Sequence, residues 1–169
     1  MNDEVSGQPA ELAVTVGKEL KRHNRMLVTA ESCTGGWVAQ VVTSVAGSSA
    51  WFERGFVTYS NAAKQELLGV RASTLENHGA VSEQAAREMA EGAVKASHAT
   101  VALAVTGIAG PGGDTLDKPV GTVCFAWAGR HMKTHTCTEH LTGDRREVRQ
   151  QAVVTALDGL LNYLAEYNS

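Results

Sequence analysis

Apolar residues follow two rhythms along this chain, and they sort most of it into helices and strands. Leu12, Val16 and Leu20 recur every fourth position ahead of the polar run 21–25, which predicts an amphipathic first helix. Residues 26–30 are short and apolar and predict a buried strand, followed by a helix over 37–45. The β-rich run 52–59, with Phe56, Val57, Thr58 and Tyr59, predicts a second strand. Ser60 or Asn61 can cap a short helix through Leu68 that stops at Gly69, and Ser82 a long Ala-rich helix to about Ser97. The almost unbroken apolar run 100–106 predicts another buried strand. Alternation over 120–128 and 133–141 predicts two antiparallel strands joined by a hairpin turn at 128–130. Asp144 and Glu147 have the spacing of a helix-capping pair, and the last helix runs to about Tyr163. Helices interleaved with strands imply an α/β class with a mixed sheet. No repeat, linker or low-complexity stretch breaks the pattern, so the 169 residues read as a single domain, 1–169.

Composition narrows the function classes. Hydrophobic residues make up 43% of the chain but aromatics only 5%, so Ala, Val and Leu must fill the core. Charges are mixed, the net value is -3 and no basic block occurs, which argues against a nucleic-acid surface. No apolar run approaches the ~20 residues that cross a bilayer. The polar start, with Asp3 and Glu4, is unlike a secretory signal. Cys33, Cys124 and Cys137 are odd in number and irregularly spaced, giving neither a disulfide framework nor a zinc pattern. A cytoplasmic protein without membrane attachment is the expectation. The six histidines are scattered, and His131 and His135 lie too far apart along a strand to share a metal, so no metal or cofactor is expected.

Four segments are poor for packing and suited to binding. In Ala30-Glu31-Ser32-Cys33-Thr34-Gly35-Gly36 a strand gives way to hydroxyls and glycines before a helix, which makes either an anion site on the helix-start amides or an ordinary capped turn. Gly47-Ser48-Ser49 is followed by Tyr59-Ser60-Asn61 and Lys64. A serine hydroxyl becomes nucleophilic only when something takes its proton, and a desolvated lysine can do so; a lysine shown to water cannot. Thr106-Gly107-Ile108-Ala109-Gly110-Pro111 follows a strand end, where ligands collect in α/β sheets, and its amides can face an oxyanion or phosphate. Gly143-Asp144-Arg145 opens the last helix with Arg149 one turn on; an arginine sits badly against the positive end of the dipole unless an anion offsets it, and the alternative is a capping Asp144 with two solvated arginines. Cys33 is a rival nucleophile, since a helix N-terminus lowers a thiol pKa.

Together with Lys118-Pro119-Val120-Gly121-Thr122-Val123, these strings closely resemble the CinA C-terminal family in its stand-alone form, over roughly residues 10–165. The resemblance implies a three-layer α/β/α sandwich with a mixed sheet. It also implies a metal-independent hydrolysis, by a serine and a lysine, of nicotinamide mononucleotide to nicotinate mononucleotide and ammonia. Mapped onto this chain, Ser49 is the nucleophile, with Ser32 as the alternative, Lys64 the base and Tyr59 an aid to the proton. Amides of the 47–49 turn or the 106–110 loop would hold the oxyanion. Thr34, Gly35, Gly36, Thr106, Gly107, Gly110 and Arg145 would bind substrate, with Thr106, Arg145 and the 32–36 turn at its phosphate. The resemblance further suggests a homo-oligomer, such as a dimer. A module that binds a pyridine nucleotide without hydrolysing it is the competing class.

Overall fold

The computed structural model describes residues 7–167; Asp3 and Glu4, on which the reading of the N-terminus rests, lie outside them. Helix α1 (Gln8–Arg22) leads into β1 (Leu27–Glu31), α2 (Trp37–Thr43), a 3-10 turn at Ser48–Ala50 and β2 (Phe52–Val57). Then come α3 (Asn61–Leu68), α4 (Ala72–His78), α5 (Glu83–Lys95), β3 (Val101–Gly107), β4 (Thr122–Gly129), β5 (Met132–His140) and α6 (Arg145–Tyr167).

The strands form one five-stranded sheet in the order β2-β1-β3-β4-β5. β1 runs parallel to β2 and β3, while β4 is antiparallel to both β3 and β5. The mixed sheet and the antiparallel β4–β5 hairpin agree with the sequence reading. One face of the sheet carries Leu27, Leu103, Val105, Phe125 and Trp127 and packs against α1, α2 and α6. The other carries Val28, Ala30, Ala102, Ala104 and Ala126 and packs against the Ala-rich α5. The result is an α/β/α sandwich. The asymmetry explains how so few aromatics suffice: small side chains on both sides of the α5 contact let that helix lie close, where neither side needs bulk. Because both faces of β1 and β3 are covered, their apolar runs are nearly continuous instead of alternating.

Local capping holds the elements that position the site. The Ser60 hydroxyl accepts from the Ala63 amide at 3.0 Å and Gly69 ends α3 in the left-handed conformation. The Ser82 hydroxyl likewise accepts from the Ala85 amide. Asp144 and Glu147 bond each other's backbone amides at 2.9 and 2.7 Å, a capping box for α6. Gly92 of α5 faces the Leu68 carbonyl so closely that any Cβ there would overlap it. α3, and Lys64 upon it, is thereby set tight against α5. No helix among the described residues is long and apolar enough to cross a membrane.

Candidate active site

β1 lies at the switch point of the sheet, with β2 on one side and β3 on the other, and it is beyond the carboxyl ends of the strands at such a point that α/β sheets bind their ligands. Ser32 sits there, one residue past the end of β1, its amide held by the Val105 carbonyl at 2.9 Å. Lys64, on the first turns of α3, reaches back into the same place. Its Nζ is 3.0 Å from the Ser32 hydroxyl oxygen and donates to the Thr58 carbonyl at 2.7 Å. The side chain is 2% exposed and forms no ion pair among the described residues. Burial pulls the Lys64 pKa down from its ordinary value, against a smaller upward pull from the Cys33 thiol. An amine deprived of water and of a counter-charge is the form of lysine that can accept a proton.

Ser49 is not beside this amine. It is exposed on the 3-10 turn that precedes β2, at the amino end of the strand, whereas Lys64 and Ser32 lie at the carboxyl end. β2 has six residues, so about 20 Å of strand lies between. The parallel pairing of Phe52 with Leu27 and of Val57 with Glu31 fixes that separation. Ser49 as the group activated by Lys64, and the 47–49 amides as an oxyanion site beside it, are therefore corrected. Of the two candidate hydroxyls, Lys64 meets Ser32.

The turn that carries Ser32 is organised from inside. Glu31, 1% exposed, folds its carboxylate under the start of α2. The carboxylate accepts from the Thr34 hydroxyl at 2.6 Å and from the amides of Gly36, Val38 and Ala39 at 3.1, 3.0 and 2.9 Å. The helix-start donors expected to bind a substrate anion are thus already satisfied by the chain's own acid. Thr34 is wholly buried, and Gly36 takes the left-handed conformation that lets the turn close. Neither is available to a phosphate in the way expected. The Thr34 amide, by contrast, has no acceptor among the described residues, and that of Cys33 faces only its own sulfur. These two N–H groups directly follow Ser32.

Other expected residues take different parts. Thr106 is 1% exposed and its hydroxyl donates to the Ala80 carbonyl at 2.8 Å, so it packs the loop and does not face a ligand. Gly107 lies against Val123 and the Thr122 carbonyl, where only a residue without Cβ fits, and the Ile108 amide is spent on Thr122. Arg145 donates to the Gly110 carbonyl at 2.7 Å and to the Tyr59 hydroxyl at 3.0 Å. It joins three loops at the mouth, and Tyr59, 63% exposed, is tied to it and not to Lys64. Cys33 is buried, and burial pushes its thiol up to about 12, the reverse of the shift expected at a helix start. It is correspondingly a poor nucleophile. Among the described residues no three His, Cys, Asp or Glu side chains converge as metal ligands.

The sequence reading gave no role to Glu31 or to the Thr58 carbonyl, and it left Arg149 open between a solvated side chain and an anion ligand. Arg149 bonds the carbonyls of Cys33 and Thr34 at 3.1 and 3.0 Å and lies over the Trp37 ring, 5.2 Å from its centroid. For Glu31 the signal was present: an acid closing a buried strand just before Thr-Gly-Gly needs donors, and the helix start supplies them.

The chain is similar to known proteins over most of its length. A nicotinamide-nucleotide amidohydrolase, PncC, from Enterobacter agglomerans is 55% identical over 151 residues, covering 89% of this chain and 92% of that protein. Its namesake from Escherichia coli K12 is 55% identical over 150 residues, 89% of this chain and 91% of that one. The crystal structure of a competence/damage inducible protein from Agrobacterium tumefaciens superposes with a TM-score of 0.90 at 45% identity, covering 94% of this chain and 96% of that one. The model of the CinA C-terminal domain matches residues 9–164, nearly every element built above, and the chain belongs to that family.

Proposed function

We propose that the chain hydrolyses the carboxamide of nicotinamide mononucleotide, with Ser32 as nucleophile and Lys64 as general base. One observation carries the chemistry: a lysine amine, buried and without a counter-ion among the described residues, lies 3.0 Å from a serine hydroxyl at the switch point of the sheet. The relatives named as nicotinamide-nucleotide amidohydrolases, 55% identical over most of both chains, support the substrate.

In the neutral amine the lone pair accepts the Ser32 proton while an N–H stays on the Thr58 carbonyl. The serine oxygen attacks the carboxamide carbon. The oxygen that becomes negative is held by the amides of Thr34 and Cys33, donors placed on the residues after the nucleophile as in a strand-to-helix elbow. The C–N bond breaks, the amide nitrogen takes the proton from Lys64, and ammonia leaves an ester on Ser32. Water then gives a proton to Lys64 and its oxygen to the ester, yielding the acid and restoring the hydroxyl. The fixed positive charge of the substrate's ring acts twice. It makes the carbonyl carbon electrophilic, and it opposes a second positive charge on the nearby amine, keeping that amine in its basic form.

Ammonia release from nicotinamide mononucleotide by Ser32→Ala and Ser49→Ala tests the assignment. Ser32→Ala is expected to remove nearly all turnover and Ser49→Ala to leave it within about twofold, because exposed sites away from the chemistry are usually neutral. The opposite pattern overturns the Ser32 reading.

A further inference from the structure

Two groups in the active site each lack a partner. An ammonium carries three N–H donors, and Lys64 has acceptors for two of them among the described residues: the Thr58 carbonyl at 2.7 Å and the Ser32 hydroxyl at 3.0 Å. Thr58 is wholly buried, and its hydroxyl bonds to nothing among the described residues. Strand alternation puts that hydroxyl on the lysine's side of the sheet. Phe56, two residues earlier, packs with Ala30 and with Leu68 of α3, and Thr58 is buried between the exposed Val57 and Tyr59. The Thr58 amide donates to the Glu31 carbonyl at 2.8 Å, which continues the parallel register of β2 with β1 and sets Thr58 beside Ser32. The unpaired hydroxyl therefore belongs to the very residue whose carbonyl Nζ already holds, and a turn about its χ1 sweeps it past the amine. Of the titratable groups nearby, the Cys33 thiol acts on Lys64 from the Ser32 turn, while Glu31 lies beneath α2 on the other face. Tyr59 is bound to Arg145 and Glu88 of α5 to Arg71. Thr29 of β1 has the other unpaired buried hydroxyl, but it lies beside Gly55 and Ala39 of α2, on the face away from Lys64.

We infer that Thr58 is a positioning residue for the base: its hydroxyl accepts the third N–H of Lys64 once the amine has taken the Ser32 proton, and holds the ammonium until that proton passes to the departing nitrogen. The inference rests on the Ser32–Lys64 hydrolase reading. A hydrogen bond from an ammonium is roughly twice as strong as one from a neutral donor, so the contact favours the charged form of Lys64 over the resting one. That charged form exists only after proton transfer, and an interaction stronger there than in the ground state lowers the barrier. The hydroxyl left unpaired at rest is thus reserved for the step in which the lysine gains a donor.

The test compares Thr58→Val, which trades the hydroxyl for a methyl of the same shape, with Thr58→Ser, which keeps it, and with Thr29→Val on the other face. Three quantities are measured: ammonia release from nicotinamide mononucleotide, the Lys64 ¹³Cε titration by NMR, and Tm. In Thr58→Val kcat should fall about tenfold or more, the worth of a hydrogen bond to a charged group, with KM within about twofold. The Lys64 midpoint should move down by about one pH unit, because the ammonium has lost an acceptor. Tm should stay at or above that of the wild type, since the hydroxyl removed had no partner in the resting fold. Thr58→Ser should restore both kcat and the midpoint, and Thr29→Val should leave both as they are. A wild-type kcat and midpoint in Thr58→Val, a loss that Thr58→Ser shares, or a fall in Tm that accompanies the loss would overturn the inference. Should the wild type release no ammonia, the hydrolase reading falls, and the Lys64 midpoint still decides the contact: lowered in Thr58→Val it upholds the bond to the ammonium, unmoved it overturns that too.

Discussion

Replacing Lys64 by Met separates the chemical from the structural work of the buried amine. Methionine keeps an unbranched side chain of similar reach in a position that is 2% exposed, and it deletes the nitrogen. The general-base contribution goes with it, typically about 10²–10⁴ in rate. Stability responds in a second, independent way. Burial lowers the Lys64 pKa in the folded chain, while in the unfolded chain the amine titrates near 10.5. Between the two values the unfolded state holds a proton that the folded state lacks, so the stability of the folded chain rises with pH there. The slope reaches up to about 1.36 kcal/mol per pH unit. Below the lowered pKa both states are protonated, the slope vanishes, and the wild type bears its full burden of a buried charge. The Met variant has no such slope, at the cost of leaving the Thr58 carbonyl without its donor, about 1–3 kcal/mol. Urea unfolding of both proteins over roughly pH 6 to 10 isolates the effect, since the other titrating groups cancel in the difference. Wild-type stability should gain on the variant as pH rises, and wild-type kcat/KM should climb over the same span and level off below 10.5. Parallel stability curves, or substantial ammonia release by the variant, would refute the buried-base argument.

Two further expectations concern the Ser32 turn. Glu31→Gln replaces an acceptor of four donors by a group that turns an NH₂ toward one of them, and should cost about 3 kcal/mol, read as a Tm lower by roughly 5–10 °C in a scan; an unaltered Tm would contradict the role given to that carboxylate. Cys33, with its thiol pushed up to about 12 by burial, should resist iodoacetamide in the native protein at neutral pH, and Cys33→Ala should keep its activity; rapid alkylation with loss of turnover would restore the thiol as a candidate.

What the sequence disclosed, and what it hid, divides by the range of the forces involved. The caps at Ser60 and Ser82 and the Asp144–Glu147 box are contacts of a side chain with backbone three residues away, and each was legible. α4 was not assigned from the sequence. Its N-cap, Arg71, makes no side-chain cap, and the donors at its start, the Arg71 amide and the Thr74 hydroxyl, go to Glu88 of α5. A helix capped from another element carries no local signal. The site divides the same way. Lys64 was legible as a base candidate because a known motif surrounds it, but choosing between Ser49 and Ser32 requires knowing which ends of β1 and β2 meet. Strand pairing settles that, and no local spacing encodes it. The rule that α/β sheets bind ligands beyond the carboxyl ends of their strands already favoured the hydroxyl after β1 over the one before β2. The α2 amides misled because their anion is internal: Glu31 satisfies in the folded chain what looked from the sequence like a ligand's place.

Rapid chemical quench of the protein turning over nicotinamide mononucleotide, followed by fragment-ion sequencing of the modified peptide, bears most directly on the central claim. Ser32 and Ser49 share one stretch of chain between Arg25 and Arg54, so the fragments and not the peptide mass must decide. The account predicts the nicotinate-mononucleotide ester on Ser32, absent from Ser32→Ala and depleted in Lys64→Met. An ester on Ser49, a thioester on Cys33, or undiminished turnover in Ser32→Ala would contradict it.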